Sequence, residues 1–365
     1  MRKLNDKQNY DISFEGENVY IGIDVHLKQW HVCVRTSAIS RRPFTQCPDA
    51  AVLRAYLDRE FPGAAYYSAY ESGFCGFSVH RELERRGIKN IVFNPADIRD
   101  TQKERLRKTD AVDCVKICRN LMSGDLTPIY VPDETVESHR ELLNYRSRLI
   151  RLRTAVKNRL KGYVNKHGIK YPTELVSPNR HWSRAFLDWL ETAAETGLCR
   201  TSARLVKDNI AELRHTNDLV REVDKEILSV LLGYYPEMDL ALRSIPGIGR
   251  LCSAALCAYI VDINRFESDD RLAGYIGLVP DVRSSDEKAV VLGVTLRGNR
   301  MLRSMMIECA WRSIALDPAL SMAYTNYIRR GLKPNNAIIR IARKLVNRIR
   351  YVLRAGNKYE TRKLK

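Results

Sequence analysis

The chain has 365 residues, 45% apolar and 28% charged, with 61 Lys and Arg against 43 Asp and Glu, a formal charge of +18 and a pI near 9.6. That composition excludes a fibrous or disordered chain, allows roughly two or three domains, and contains no run near the ~18 apolar residues of a membrane span. The positive balance argues for a polyanionic partner, nucleic acid above all, against the plainer reading of a solvated basic surface.

Residues 1–17 are polar and lack the apolar stretch of a secretory signal. From Asn18 the pattern turns β-like: NVYIGIDVHL is a short apolar run, and QWHVCVRT alternates and can pair with it as a hairpin. AAYYSAYES and NIVFNPADIR are further strand candidates. DAAVLRAYLDREF and GFSVHRELERRG have helical spacing, the second stopping at Gly87. Strands alternating with helices imply an α/β domain over 18–135.

From about residue 136 the texture changes. ESHRELLNYRSRLIRLRTAVKNRLKGYVNKHG reads as one long helix ending at Gly168, and a second helical stretch runs to Pro236. With a helical segment between them they predict an antiparallel coiled-coil arm over 136–236. Glu141–Lys170 holds nine Lys or Arg and one acid, a one-signed face that suits phosphates better than mere solvation. A third, mostly helical domain is expected over 237–328. In it Pro246-Gly-Ile-Gly249 forms a tight turn before a helix, either a helix–hairpin–helix whose Gly247 and Gly249 amides face a phosphate or a plain turn. Residues 329–365 read as a basic helical tail, with thirteen Lys or Arg against one Glu over Arg329–Lys365. The fold class expected is therefore α/β plus all-α. The nine cysteines include no C-x-x-C pair and no zinc-like spacing, so a reduced, cytosolic protein is expected.

Four acids are out of character with so basic a chain. Asp24 closes the run YIGIDV, where a strand emerges. Glu71, in YESGFCGF, follows another apolar run and precedes Gly73 and Gly76. Asp110 and Asp113, in KTDAVDC, lie three apart and share a helix face, next to a basic segment that includes Arg105 and Lys108. Each alone is explained by an ordinary cap or loop acid. Together they suit one or two Mg²⁺ ions, because hard divalent cations take oxygen ligands and two of them about 4 Å apart can clamp a phosphodiester. Mn²⁺ is an acceptable substitute.

GIDVH, YESGFCGF and KTDAVD resemble the three motifs of the DEDD insertion-sequence transposases, a family related to the Piv-type DNA invertases. SIPGIG, LAGYIGLVP, a Ser-Ser pair and LRGNRMLR follow in the order of that family's second domain. The resemblance spans residues 18–320. It implies an N-terminal RuvC-like domain of the RNase H-like fold, and Asp24, Glu71, Asp110 and Asp113 as metal-binding catalytic acids.

It also implies a serine that attacks the DNA phosphate. The family's Ser-Ser-Gly-Gly-Lys reads here Ser284-Ser285-Asp286-Glu287-Lys288, so Ser285 matches best with Ser284 as the alternative, and two acids replace the glycines. Arg283, Lys288, Arg297, Arg300 and Arg303 are candidate phosphate contacts. The implied partners are donor and target DNA, a structured bridge RNA that carries specificity by pairing, and further copies of the chain in a dimer or tetramer. The competing readings are a RuvC-like metal-dependent nuclease that uses water, and a non-catalytic nucleic-acid-binding protein.

Overall fold

The computed structural model describes residues 13–98, 110–175, 177, 180–285, 288–295 and 298–360. The chain divides into two compact units, residues 1–132 and 133–365.

The first unit is built on a five-stranded sheet. β1 (Asn18–Val25) lies at its centre, antiparallel to β2 (Trp30–Arg35), which pairs in turn with β3 (Phe44–Gln46). On the other side β1 runs parallel to β4 (Ala65–Glu71), and β4 runs parallel to β5 (Lys89–Phe93). The order is thus β3-β2-β1-β4-β5. It is consistent with a RuvC-like domain.

The alternation in the sequence sorts the two faces. Val19, Ile21 and Ile23 point to one side with Val32, Val34, Tyr66 and Tyr70, and they bury Leu53 and Leu57 of α1 (Ala50–Glu60) and Leu83 of α2 (Ser78–Arg85). Asp49 caps α1, its carboxylate accepting from the Ala51 amide at 2.7 Å. The expected stop of α2 is present as Gly87, at φ +73°. The opposite face is covered by α3 (Asp110–Ser123), which packs Cys114, Ile117 and Cys118 against Cys33, Ala69 and Phe93.

The second unit begins with α4 (Glu134–Lys166), capped by Asp133 and followed by Gly168 at φ +63°. After α5 (Arg184–Gly197) comes α6 (Arg200–Tyr234). Helices α4 and α6 run antiparallel. Arg159 reaches Asn209 and Glu212, Arg146 reaches Asp224, and His139 reaches Tyr235. Val156, Leu160 and Val164 of α4 pack with Val206, Ile210 and Leu213 of α6 and with Phe186 and Leu190 of α5. Toward the other end Leu143 and Leu149 join Val220, Val223 and Ile227 in the core of the helical remainder.

That remainder comprises α7 (Pro236–Arg243), α8 (Arg250–Ile260), α9 (Asp269–Ile276), the hairpin of β6 (Pro280–Ser285) and β7 (Lys288–Val294), α10 (Arg300–Leu316), α11 (Pro318–Arg329) and α12 (Pro334–Ala355). The stretch expected as a basic tail is helical. Its apolar stripe, Ile338, Ile341, Leu345, Ile349 and Val352, is buried in the same core as α8 and α10.

Candidate active site

Strand pairing alone brings two of the predicted acids together. Gly22 stands opposite Ala69 and Ile23 opposite Tyr70 on the parallel strands β1 and β4. Asp24 and Glu71 are the next residue on each. Adjacent strands lie about 4.8 Å apart and in-register neighbours share a face, so two carboxylates sit side by side where the central strands end. Both are out of phase with Ile23 and Tyr70, which face α1 and α2. They belong to the face that α3 covers.

Helix α3 brings the third acid. The Cys118 thiol donates to the Tyr20 carbonyl at 3.2 Å, and Cys114 lies over Gly22. The helix therefore runs opposite to β1, and its first turn points toward the end that carries Asp24. Asp110 opens α3, and Asp113, half-buried, immediately precedes Cys114.

This approach depends on Gly22, which the sequence reading did not single out. A Cβ there would lie 2.2 Å from the Cys114 carbonyl oxygen and 2.4 Å from the Cys118 nitrogen. The available signal was a lone glycine inside an apolar strand, which marks close backbone approach. The Cys114 thiol is pushed up to about 12, by burial first and then by the negative charge of Cys33 and Asp24. Its ordering agrees with a carboxylate close to the start of α3.

Asp24 also has a histidine neighbour. The His26 Nε2 lies 3.1 Å from the Asp24 Oδ2. His31, opposite Asp24 in the β1–β2 register, packs edge-to-face on His26 with ring centroids 5.8 Å apart. Beyond Glu71 the chain is tied down. Ser72 donates its amide to the Phe93 carbonyl at 2.9 Å, and the Tyr70 hydroxyl donates to the Gly76 carbonyl at 3.0 Å. Gly76, at φ +54°, makes the bend that its neighbours with side chains would resist.

Carboxylate oxygens are the donors a hard divalent cation takes, and neighbouring carboxylates repel one another without one. The donor chemistry fits such an ion. Among the described residues, no group of three or more His, Cys, Asp or Glu side chains is placed to hold a metal ion.

The second unit carries the other candidates. The hairpin register sets Ser284 opposite Ala289 and Ser285 opposite Lys288, so both serines, with Arg283, belong to a strand end and not to an irregular loop. Arg105, Lys108, Arg297, Asp286 and Glu287 lie outside the described residues. Arg300 is exposed at the start of α10. Arg303 is turned inward and donates to the carbonyls of Gly277 and Thr295. Gly247, at φ +96°, packs on α10, where a Cβ would meet the Ser313 hydroxyl at 2.2 Å. Gly249 caps α8, with open space where its side chain would be. Gly247 thus has a packing reason to be glycine, while Gly249 keeps the open helix start that phosphate binding needs.

Residues 21–168 match the DEDD transposase domain of the IS110 type, and residues 239–325 match the Transposase IS116/IS110/IS902 family. The chain belongs to this transposase family. Several relatives carry the transposase name. A Sinorhizobium fredii protein, y4qE, is 27% identical over 301 residues, 80% of this chain and 71% of its own. The transposase for insertion sequence element IS1111A of Coxiella burnetii is 28% identical over 240 residues, 65% of this chain and 63% of that protein, a little under two thirds. The transposase for insertion sequence element IS1328 of Yersinia enterocolitica is 23% identical over 243 residues, 66% of this chain and 69% of that protein. Family membership implies an enzyme that cuts and rejoins DNA, and a DEDD domain points to dependence on a divalent metal. Among the described residues no helix is long and apolar enough to cross a membrane.

Proposed function

We propose that this transposase cuts and rejoins the DNA of an insertion sequence through attack of a serine on the phosphodiester, assisted by Mg²⁺ and guided by a structured bridge RNA. The observation that carries the reading is the pairing of Asp24 with Glu71 at adjacent strand ends, beneath the first turn of the helix that holds Asp110 and Asp113. These four acids would hold the ion. When bound, a divalent cation offsets phosphate charge and favours attack at phosphorus.

Ser285 supplies the hydroxyl, with Ser284 as the alternative. Its Oγ–P bond forms, one P–O ester bond breaks, and the hydroxyl proton ends on the departing deoxyribose oxygen. A phosphoserine keeps the ester's free energy, so the reverse attack by another DNA end rejoins strands without a nucleotide. Arg283, Lys288 and Arg300 hold phosphates by charge-assisted hydrogen bonds. The +18 charge suits a protein that binds RNA and DNA together, because phosphate neutralisation supplies much of the affinity. In this reading the chain works as a dimer or tetramer.

A covalent-trapping assay tests it. Full-length protein, Mg²⁺, the RNA transcribed from the element's end and labelled DNA across the element junction are resolved on a denaturing gel. The expected outcome is a protein–DNA adduct that is lost in Ser285→Ala, weaker but still formed in Lys288→Ala, and absent without divalent metal or in Asp24→Asn. Cut DNA with no adduct would instead identify a hydrolytic nuclease of the RuvC type.

A further inference from the structure

Two large apolar side chains stand in water at the edge of the sheet where the acids lie. Leu27 is 80% exposed and Phe74 is 63% exposed. Leu27 is three residues past Asp24, in the turn that the His26 amide closes on the Gln29 carbonyl at 3.2 Å. Phe74 is three residues past Glu71, in the loop that leaves β4. Because β1 and β4 are parallel neighbours, both loops depart from the same edge.

A single exposed apolar residue needs no explanation. Here two of them flank a pair of carboxylates, and the fold could have turned Phe74 in. Its neighbours Cys75 and Phe77 pack against the core beneath. Tyr70 anchors the same loop, donating to the Gly76 carbonyl at 3.0 Å while accepting from the His80 amide at 3.2 Å. The turn is therefore held by its own contacts, and Phe74 is the side chain it leaves outside. Beside Leu27, Lys28 is exposed and cationic.

Neither a metal ion nor a phosphate gains from an apolar side chain. The apolar surface that travels with a phosphodiester is the face of the adjoining base. Aromatic side chains stack on any base, and apolar wedges between base steps unstack and kink a duplex. We propose that Phe74, with Leu27 on the loop that leaves the neighbouring strand, is a positioning residue that stacks on the bases next to the phosphodiester received by Asp24 and Glu71, opening that step of the DNA. The proposal rests on the reading of those two acids as the cutting carboxylates.

Permanganate oxidation of thymines tests it without any cutting. The full-length protein is bound to a duplex spanning the element junction, with its RNA and with Ca²⁺ replacing Mg²⁺. A thymine that becomes hyper-reactive with wild type and with Asp24→Asn is expected. It should lose that reactivity in Phe74→Ala, keep it in Phe74→Trp and show less in Leu27→Ala. Phe74→Ala should also bind roughly tenfold more weakly, with an unchanged thermal midpoint because the ring is exposed. The same thymine pattern in Phe74→Ala as in wild type would overturn the proposal. So would the absence of any hyper-reactive thymine, or a change in oligomeric state as the only effect of Phe74→Ala. Failure of the carboxylate reading would show separately, as Asp24→Asn protein that still cuts in Mg²⁺.

Discussion

Gly22 decides whether the candidate site exists. Asp24 and Glu71 were legible in the sequence because an acid that ends an apolar run sits where a strand leaves the sheet. Asp110 and Asp113 were legible because a spacing of three repeats on one helix face. Gly22 was not, since a glycine within a strand shows no purpose until the helix above it is known. Gly22→Ala forces a methyl group into backbone atoms of α3 at 2.2 and 2.4 Å. Overpacking of this kind costs about 1–3 kcal/mol. Urea denaturation should show that loss, and Mg²⁺-dependent cutting should fall further than stability does, because lifting α3 moves Asp113 away from Asp24. Cutting retained at wild-type level in a destabilised Gly22→Ala protein would separate α3 from the site. Gly247 teaches the converse. Its motif suggested a phosphate contact, yet its place against Ser313 explains the glycine by packing.

Among the elements, the long helices were the easiest to read, since α4 and α6 have uninterrupted periodicity and end close to Gly168 and Pro236. The β6–β7 hairpin was not read. Pro280–Ser285 contains a proline, an aspartate and two serines, a composition that favours loops, and its strand form comes from pairing with Lys288–Val294. The α4–α6 pair has a titratable joint. His139 on α4 is buried, and its Nδ1 lies 2.9 Å from the Tyr235 hydroxyl just past the end of α6. Burial holds the imidazole below its usual 6.5, against a smaller opposing pull from Asp133. A lowered pKa means that the fold prefers the neutral ring. The stabilisation is then complete above pH 6.5 and is lost as pH falls through the folded-state pKa. Wild type should lose urea resistance between about pH 7.5 and about pH 5.5, and His139→Gln should lose less across the same range. Equal losses would remove His139 as the cause.

At the scale of the whole molecule, the charge sets the expected behaviour. All nine cysteines are free thiols. The +18 charge is partly spent within the fold: Arg146, Arg159, Arg214, Arg343, Arg348 and Arg350 each pair with an acid. Enough remains for a steep salt dependence. If roughly six phosphates are neutralised, DNA affinity should drop on the order of a thousandfold between about 50 and about 200 mM salt. A nearly flat titration would return the charge to the role of a solvated surface. The two ways in which the acids meet also set a schedule. Asp24 and Glu71 become neighbours as soon as β1 and β4 pair, but the helix that carries Asp113 reaches their face only when α3, which follows β5 in the chain, docks on Gly22. In the proposed reading, a protein emerging from the ribosome through β5 therefore has a sheet but an unfinished set of ligands, and that set is complete before the helical unit carrying Ser285 has been made.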